Sequence, residues 1–135
     1  MAKTIMVVDD VPFVRKTLTD ILTAAHYSVV GEAADGQEAI TKYAELRPDL
    51  VTMDIVMPVM SGIEATRKIV KADKDAKVVI ISAMGQESLV MEAISVGAID
   101  YILKPFTEEE VLKTIENTLM SDSQKGGRNA QQEAN

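Results

Sequence analysis

The sequence has 135 residues, 47% of them hydrophobic and 26% charged, a balance typical of one soluble globular domain. A net charge of −7 argues against nucleic-acid binding, which normally requires a basic stripe. The absence of cysteine excludes disulfides and thiolate metal sites. The N-terminus makes a poor signal peptide and no apolar run approaches the roughly 18 residues of a membrane span, so a cytoplasmic protein is expected.

Five short apolar runs rich in β-branched residues predict strands, at residues 4–8, 28–33, 50–53, 77–82 and 101–103. Their nearly continuous apolar character is typical of strands that are covered on both faces. Between them, apolar residues recur at helical spacing in stripes that begin at Val14, Ala39, Ile63, Leu89 and Leu112. Strands and helices that alternate five times predict a doubly wound α/β fold, with helices on both faces of a parallel sheet.

Turn signals separate these elements, and Gly62, Gly85 and Gly97 are interpreted as turn residues. After Met120 the sequence is polar, with paired glycines and no apolar face, which predicts a disordered tail over residues 121–135. Residues 1–120 are therefore predicted to form one domain. Because no second domain or repeat is visible, any output must come from the surface of that domain.

Polar side chains follow the carboxyl ends of four predicted strands. Asp9 and Asp10 follow the first strand, Asp54 the third, Ser82 ends the fourth and Lys104 follows the fifth. In an open parallel sheet, ligands bind at this edge, near the point where the strand order reverses. These side chains are therefore predicted to share one site. Glu32, near the end of the predicted second strand, is not assigned to this site.

Three carboxylates gathered in one place repel one another, and a bound cation relieves that repulsion. Oxygen ligands without histidine or cysteine indicate a hard ion, and Mg²⁺ is typical when phosphate takes part. A lysine and a serine hydroxyl suit the oxygens of an incoming phosphoryl group. The set predicts phosphoryl transfer to a carboxylate nucleophile.

Each of these residues also has an ordinary interpretation. Asp9 and Asp10, just before Pro12, could cap the first helix, and Ser82 and Lys104 could be solvated surface residues. Independent accidents at four strand ends are improbable, so the combination favours a functional site.

Four motifs, VVDD, VTMDIVMPVMSG, VVIISAM and GAIDYILKPF, resemble those of the receiver domains of two-component response regulators. The likeness is greatest to single-domain chemotaxis regulators of the CheY type, and it extends from about Lys3 to Met120. It implies a flavodoxin-like sheet of five strands in the order 2-1-3-4-5, with five helices.

The resemblance implies that Asp54 is the phospho-acceptor and that a histidine kinase is the donor. Asp10 would bind Mg²⁺ directly and Asp9 through water, while Asp54 and the backbone carbonyl of Val56 complete the protein ligands.

The resemblance also implies the parts of a switch. Lys104 would pair with the phosphoryl group, Ser82 would swing toward it, and the rotamer of Tyr101 would follow. The Lys104–Pro105 peptide is expected to be cis. The surface formed by the fourth helix, fifth strand and fifth helix would then change its affinity for a partner. Of the consecutive apolar residues 89–91, at least one should face outward on that surface.

The function implied is a phosphorylation-switched signalling module that is not an enzyme in its own right. Its partners would be a histidine kinase, a target such as a flagellar motor switch protein and, in some systems, a phosphatase, with neither nucleic acid nor membrane. A monomer is expected. Apolar residues at Val56 and Met84, which in this family affect how water reaches the phosphoryl group, predict a comparatively long-lived phosphorylated form.

Three alternatives remain open from the sequence. One is a phosphorelay intermediate or another stand-alone receiver. The second is a Mg²⁺-dependent phosphohydrolase, although Val56 stands where such enzymes carry a second acid. The third is a phosphate-independent receiver, although that class typically lacks an acid or the lysine.

Overall fold

Strands and helices alternate throughout residues 1–121, the part of the chain that the computed structural model describes. The strands are β1 (Thr4–Val8), β2 (Ser28–Ala33), β3 (Leu50–Asp54), β4 (Val78–Ala83) and β5 (Asp100–Lys104). The helices are α1 (Pro12–Ala24), α2 (Gly36–Leu46), α3 (Gly62–Ala72), α4 (Glu87–Ser95) and α5 (Glu108–Met120). All ten predicted elements are present, and every strand end lies within one residue of its predicted position.

The five strands form one parallel sheet in the order β2-β1-β3-β4-β5, which confirms the predicted fold. The order reverses at β1, whose neighbours are β2 and β3. In the β1–β3 pair, Val8 lies opposite Met53, so the residues that follow them, Asp9 and Asp54, lie side by side at the carboxyl edge of the sheet. The topology thus creates a crevice at the carboxyl edge of the sheet, where ligands bind in folds of this kind.

Two apolar layers form the core, one on each face of the sheet, because successive side chains of a strand point to opposite faces. Ile5 and Val7 face α1 and α5, whereas Met6 and Val8 face the side covered by α2, α3 and α4. Burial on both faces holds for β1, β3 and most of β4. It was wrong for β2 and β5, where exposed and covered residues alternate, because these strands lie at the two edges of the sheet.

Three helices begin at side-chain caps. Asp35 caps α2, Ser61 caps α3, and Thr107 forms a capping box with Glu110 at the start of α5. These caps satisfy backbone N–H groups near the loops that follow the strands, and so they help to order the edge where the site lies.

The predicted boundary between domain and tail falls at Ser121, whose backbone N–H bonds to Thr118 as the C-cap of α5. Residues 122–135 lie outside the described part of the chain, so the division into domain and disordered tail stays a prediction. Among residues 1–121, no helix is both long enough and apolar enough to cross a membrane.

Candidate phosphoryl-transfer site

Three carboxylates meet at the carboxyl edge of the sheet. Asp9, Asp10 and Asp54 each offer an oxygen, and these three oxygens lie within 4.8 Å of one another. Asp9 is fully buried and Asp54 is only 8% exposed, whereas Asp10 is open to solvent. The donor set is therefore all oxygen, crowded on its buried side and accessible on the other, which fits a hard divalent cation entering from solvent.

The helix-capping interpretation of the acidic pair was wrong. The N-cap of α1 is Val11, whose apolar side chain cannot accept a hydrogen bond. Instead, Oδ1 of Asp9 accepts a hydrogen bond from the backbone N–H of Val11 at 2.9 Å, within the loop itself. This contact holds the Asp9 carboxylate in place and leaves Oδ2 directed toward Lys104.

Lys104, at the end of β5, reaches across the site to two of the acids. Its Nζ lies 3.1 Å from Oδ2 of Asp9 and 3.4 Å from Oδ1 of Asp54. Burial of the ammonium opposes its charge, but the two facing carboxylates outweigh burial and raise the pKa of Lys104. The Lys104–Pro105 peptide is cis, as expected.

The site holds more negative charge than one lysine can balance. Burial raises the pKa of Asp54 to about 6, and the nearby charge of Asp9 adds to the effect, whereas Lys104 and the backbone N–H of Ile55 oppose it. A divalent cation among these oxygens would favour the ionised carboxylate and so reverse the shift.

Ser82 lies at the same edge but its hydroxyl is directed elsewhere. The side chain is fully buried, and Oγ lies 3.0 Å from the carbonyl oxygen of Ala83 and 3.2 Å from Oε1 of Gln86. The same Oε1 accepts a hydrogen bond from the backbone N–H of Ala83 at 2.9 Å. Sequence reasoning missed Gln86, although its position four residues after the serine, at the start of α4, was visible.

Arg15 on α1 is a second residue that sequence reasoning missed. Its Nη1 donates to the backbone carbonyl of Asp9 at 2.6 Å, and its Nε donates to Oε1 of Glu32 at 2.9 Å. Glu32 is the acid at the end of β2 that was left outside the predicted site, and it does lie outside the carboxylate cluster. Through Arg15 it nevertheless supports the backbone of the loop that presents Asp9.

Comparison with known proteins identifies the family. Residues 5–116 match the response regulator receiver domain. The chain belongs to this family.

This receiver is 51% identical over 115 residues to chemotaxis protein CheY of Thermotoga maritima, an alignment that covers 85% of this chain and 96% of the relative. It is 49% identical over 119 residues to chemotaxis protein CheY of Bacillus subtilis, covering 88% and 99%. It superimposes on a chain from the CheX-CheY-BeF3-Mg²⁺ complex of Borrelia burgdorferi with a TM-score of 0.82 and 39% identity, covering 85% of this chain and 87% of the other. The predicted family and flavodoxin-like fold are thus confirmed.

Receiver domains are signalling switches that a kinase phosphorylates, and they generally bind Mg²⁺ at an acidic pocket. The cluster of Asp9, Asp10 and Asp54 is consistent with such a pocket in this chain. The roles of the individual residues, which the resemblance implies, remain predictions.

Gly62 allows the end of β3 to lie closely against α3. It is the first residue of α3 and not simply part of a turn. A Cβ at this position would overlap the backbone carbonyl oxygen of Asp54, and the N–H of Gly62 donates to the carbonyl of Ile55 at 2.7 Å. Glycine is needed here because two backbone segments approach closely, whereas Gly85 and Gly97 have the positive φ angles expected of turn residues.

The outer face of the receiver, along α4 and β5, is partly apolar. Met91 is 68% exposed while Val90 is buried, which confirms that the run at residues 89–91 has an outward member. Tyr101 is 45% exposed and Leu103 lies exposed two residues further along β5. Since residues two apart on a strand share a face, Tyr101 and Leu103 lie on one surface, opposite the buried Ile102.

Proposed function

We propose that this receiver is a stand-alone switch in which Asp54 accepts a phosphoryl group from a histidine kinase with the help of Mg²⁺. One observation carries the proposal: the carboxylate of Asp54 clusters with those of Asp9 and Asp10 and lies 3.4 Å from the ammonium of Lys104. A nucleophile, an acidic pocket for a cation and a positive charge for the phosphoryl oxygens are thus gathered at one point.

The proposed transfer is a displacement at phosphorus. An oxygen of Asp54 forms the new P–O bond while the P–N bond to the kinase histidine breaks, and the leaving imidazole nitrogen takes up a proton. With a pKa of about 6, Asp54 is mostly ionised at neutral pH and available as the nucleophile. Lys104 gives the transferred group a fixed counter-charge from its place 3.4 Å from the acceptor oxygen.

Mg²⁺ would neutralise the oxygens of the phosphoryl group and of the pocket, where catalysis is mainly positioning and charge stabilisation. The ligands we propose are Asp10 and Asp54 directly, Asp9 through water, and the carbonyl of Val56. Asp10 suits direct entry of the ion because its carboxylate is exposed to solvent.

The proposed output is a change of the surface formed by α4, β5 and α5. Ser82 would move to the phosphoryl group and Tyr101, now half-exposed, would turn inward, which biases the surface between two arrangements. The relatives named chemotaxis protein CheY support a chemotaxis target, and we propose a flagellar motor switch protein. The related complex with CheX supports a further partner that acts on the phosphorylated form. We further propose that the protein acts in the cytoplasm as a monomer.

The test is phosphorylation without a kinase. The protein is incubated with acetyl phosphate and Mg²⁺, and its intact mass is measured. We expect one added phosphoryl group on the wild type and none on Asp54→Asn. The matched control is Asp75→Asn, which removes an exposed acid outside the carboxylate cluster and should be phosphorylated like the wild type. An unmodified wild type, or a modified Asp54→Asn, would contradict the proposal.

A further inference from the structure

The contacts of Ser82 connect the switch to a residue without an assigned role. The amide oxygen of Gln86 is within hydrogen-bond distance of two donors, the Ser82 hydroxyl at 3.2 Å and the backbone N–H of Ala83 at 2.9 Å. Ser82 is fully buried, so its hydroxyl has protein groups and not bulk water as partners. The Gln86 side chain thus connects the two ends of the loop between β4 and α4.

We propose that Gln86 is a positioning residue that holds Ser82 in a resting orientation and competes with phosphorylated Asp54 for its hydroxyl. The proposal rests on the proposed function, because it assigns a resting partner to the hydroxyl that the phosphoryl group would recruit.

The competition follows from the chemistry of a hydroxyl. Ser82 has one O–H proton, which at rest can be donated to two acceptors, the carbonyl oxygen of Ala83 at 3.0 Å and Oε1 of Gln86 at 3.2 Å, and which cannot be donated to the phosphoryl group at the same time. A charged phosphoryl oxygen is a stronger acceptor than a neutral amide oxygen. Phosphorylation can therefore release Ser82, but the resting contact must be broken first and reduces the net gain.

The geometry lets this release occur without leaving a buried group unpaired. When the Ser82 hydroxyl departs, Oε1 of Gln86 keeps the N–H of Ala83 as its donor. The resting contact also serves no purpose in capping α4: Gln86 is the N-cap residue, yet within residues 1–121 its side chain makes no capping hydrogen bond to that helix. The amide oxygen of Gln86 thus contacts Ser82 and Ala83 and does not cap the helix.

The loop between these residues has few constraints of its own. Met84 and Gly85 are exposed, and Gly85 has φ of 89° with open space where a Cβ would lie. A short exposed loop with a glycine can change conformation at low cost. The Gln86 side chain is therefore well placed to set which conformation the loop adopts at rest.

The test uses beryllofluoride with Mg²⁺, an anion that mimics a phosphoryl group on the acceptor carboxylate. Gln86→Met removes the acceptor at nearly constant length, and Gln86→Glu replaces it with a stronger, charged acceptor. We expect Gln86→Met to bind beryllofluoride about threefold more tightly than the wild type, the equivalent of part of one net hydrogen bond, because the carbonyl oxygen of Ala83 remains as a second acceptor for the Ser82 hydroxyl. Gln86→Glu should bind it more weakly.

Two controls separate competition from other effects. Gln37→Met makes the same change at an exposed glutamine in the first turn of α2 and should leave the affinity unchanged. In a Ser82→Ala background the gain from Gln86→Met should disappear, because no hydroxyl remains to be released. A change that persists in that background would contradict the proposal, and so would equal affinities of the wild type and Gln86→Met.

A second measurement examines the resting contact alone. Amide hydrogen exchange at Ala83 should be faster in Gln86→Met than in Gln37→Met, because only the former removes the acceptor of that N–H. Unchanged exchange would overturn the resting role of Gln86 even if the phosphorylation chemistry holds. Failure of the wild type to bind beryllofluoride would instead overturn the proposed function and, with it, the competition.

Discussion

The two halves of the site differ in how firmly they are held. On one side, Asp9, Asp54 and Lys104 are joined by ion pairs of 3.1 and 3.4 Å at the ends of β1, β3 and β5. On the other, Ser82 is directed to its own loop, which continues through the exposed Met84. Under the proposed function, the charged half is preorganised for transfer, whereas the hydroxyl half has to rearrange. A switch needs both, because transfer requires fixed charges and signalling requires a part that moves.

The largest effect is expected from a substitution at Gly62, which packs against the end of β3 in the charged half. In Gly62→Ala the new methyl group would overlap the carbonyl oxygen of Asp54, so α3 or the end of β3 must shift. We expect the free energy of unfolding to fall by at least about 3 kcal/mol, as for severe overpacking. Urea denaturation measures it, and Gly85→Ala, which meets open space but retains a strained φ, should lose less. Similar losses in the two variants would argue against close approach as the reason for glycine.

The crowding of carboxylates in the charged half should make the stability of the protein depend on pH. The pKa of Asp54 is raised in the fold from 3.8 to about 6, so the fold favours the protonated form. Stability from this group is present below about pH 4 and is lost as the pH rises through 6. Without metal, Asp54→Asn should therefore be more stable than the wild type by up to about 3 kcal/mol near pH 7.5, since each pKa unit corresponds to about 1.4 kcal/mol.

The same comparison provides its own control. Near pH 3 the two proteins should have nearly equal stability, because that pH lies below both the unfolded pKa of 3.8 and the folded pKa of about 6, so Asp54 is largely protonated in both states. Thermal unfolding with and without Mg²⁺ extends the test, since ion binding to the folded wild type should narrow the gap. A difference that does not depend on pH would show that the pKa of Asp54 is not raised.

A smaller effect is expected from the support behind Asp9. Arg15→Met removes the hydrogen bond to the Asp9 carbonyl and leaves Glu32 without its partner. We expect a loss of about 2 kcal/mol in the free energy of unfolding, typical of a hydrogen bond that involves a charged group. Lys16→Met is the matched control, because its ion pair with Asp20 is solvent-exposed and should contribute little. Equal losses of unfolding free energy in Arg15→Met and Lys16→Met would contradict the supporting role of Arg15.

The smallest effect concerns the lifetime of the phosphorylated form, with folding unaffected. Val56 and Met84 have exposed, apolar side chains that cannot orient an attacking water by hydrogen bonding. Replacing them together, Val56→Asn with Met84→Glu, should speed loss of phosphate about tenfold, below the ~100-fold that full general acid–base catalysis supplies. The control pair is Val30→Asn with Met91→Glu, two exposed residues away from the acceptor. An unchanged lifetime in the first pair would contradict the long-lived state that the sequence predicts.

Much of the site could be predicted because residue type and strand position together limit the possibilities. Asp9, Asp54 and Lys104 are charged residues directly after apolar runs, and such residues must be paired or used when they lie at the edge of a buried strand. The parallel sheet then brings them together. The ten elements were predicted for a similar reason, since apolar residues recur at the spacing of a strand or a helix wherever one face of that element packs in the core.

The amino-acid sequence by itself thus determined which elements form, which charged groups reach the functional edge and which family the chain resembles. The tertiary structure alone decided that Gln86 holds Ser82, that Arg15 supports Asp9 and that Gly62 must lack a side chain. It also decided how far β2 and β5 are exposed. The physical reason is that periodicity records whether a residue is buried, whereas these features depend on distances of a few ångströms between groups that only packing brings together.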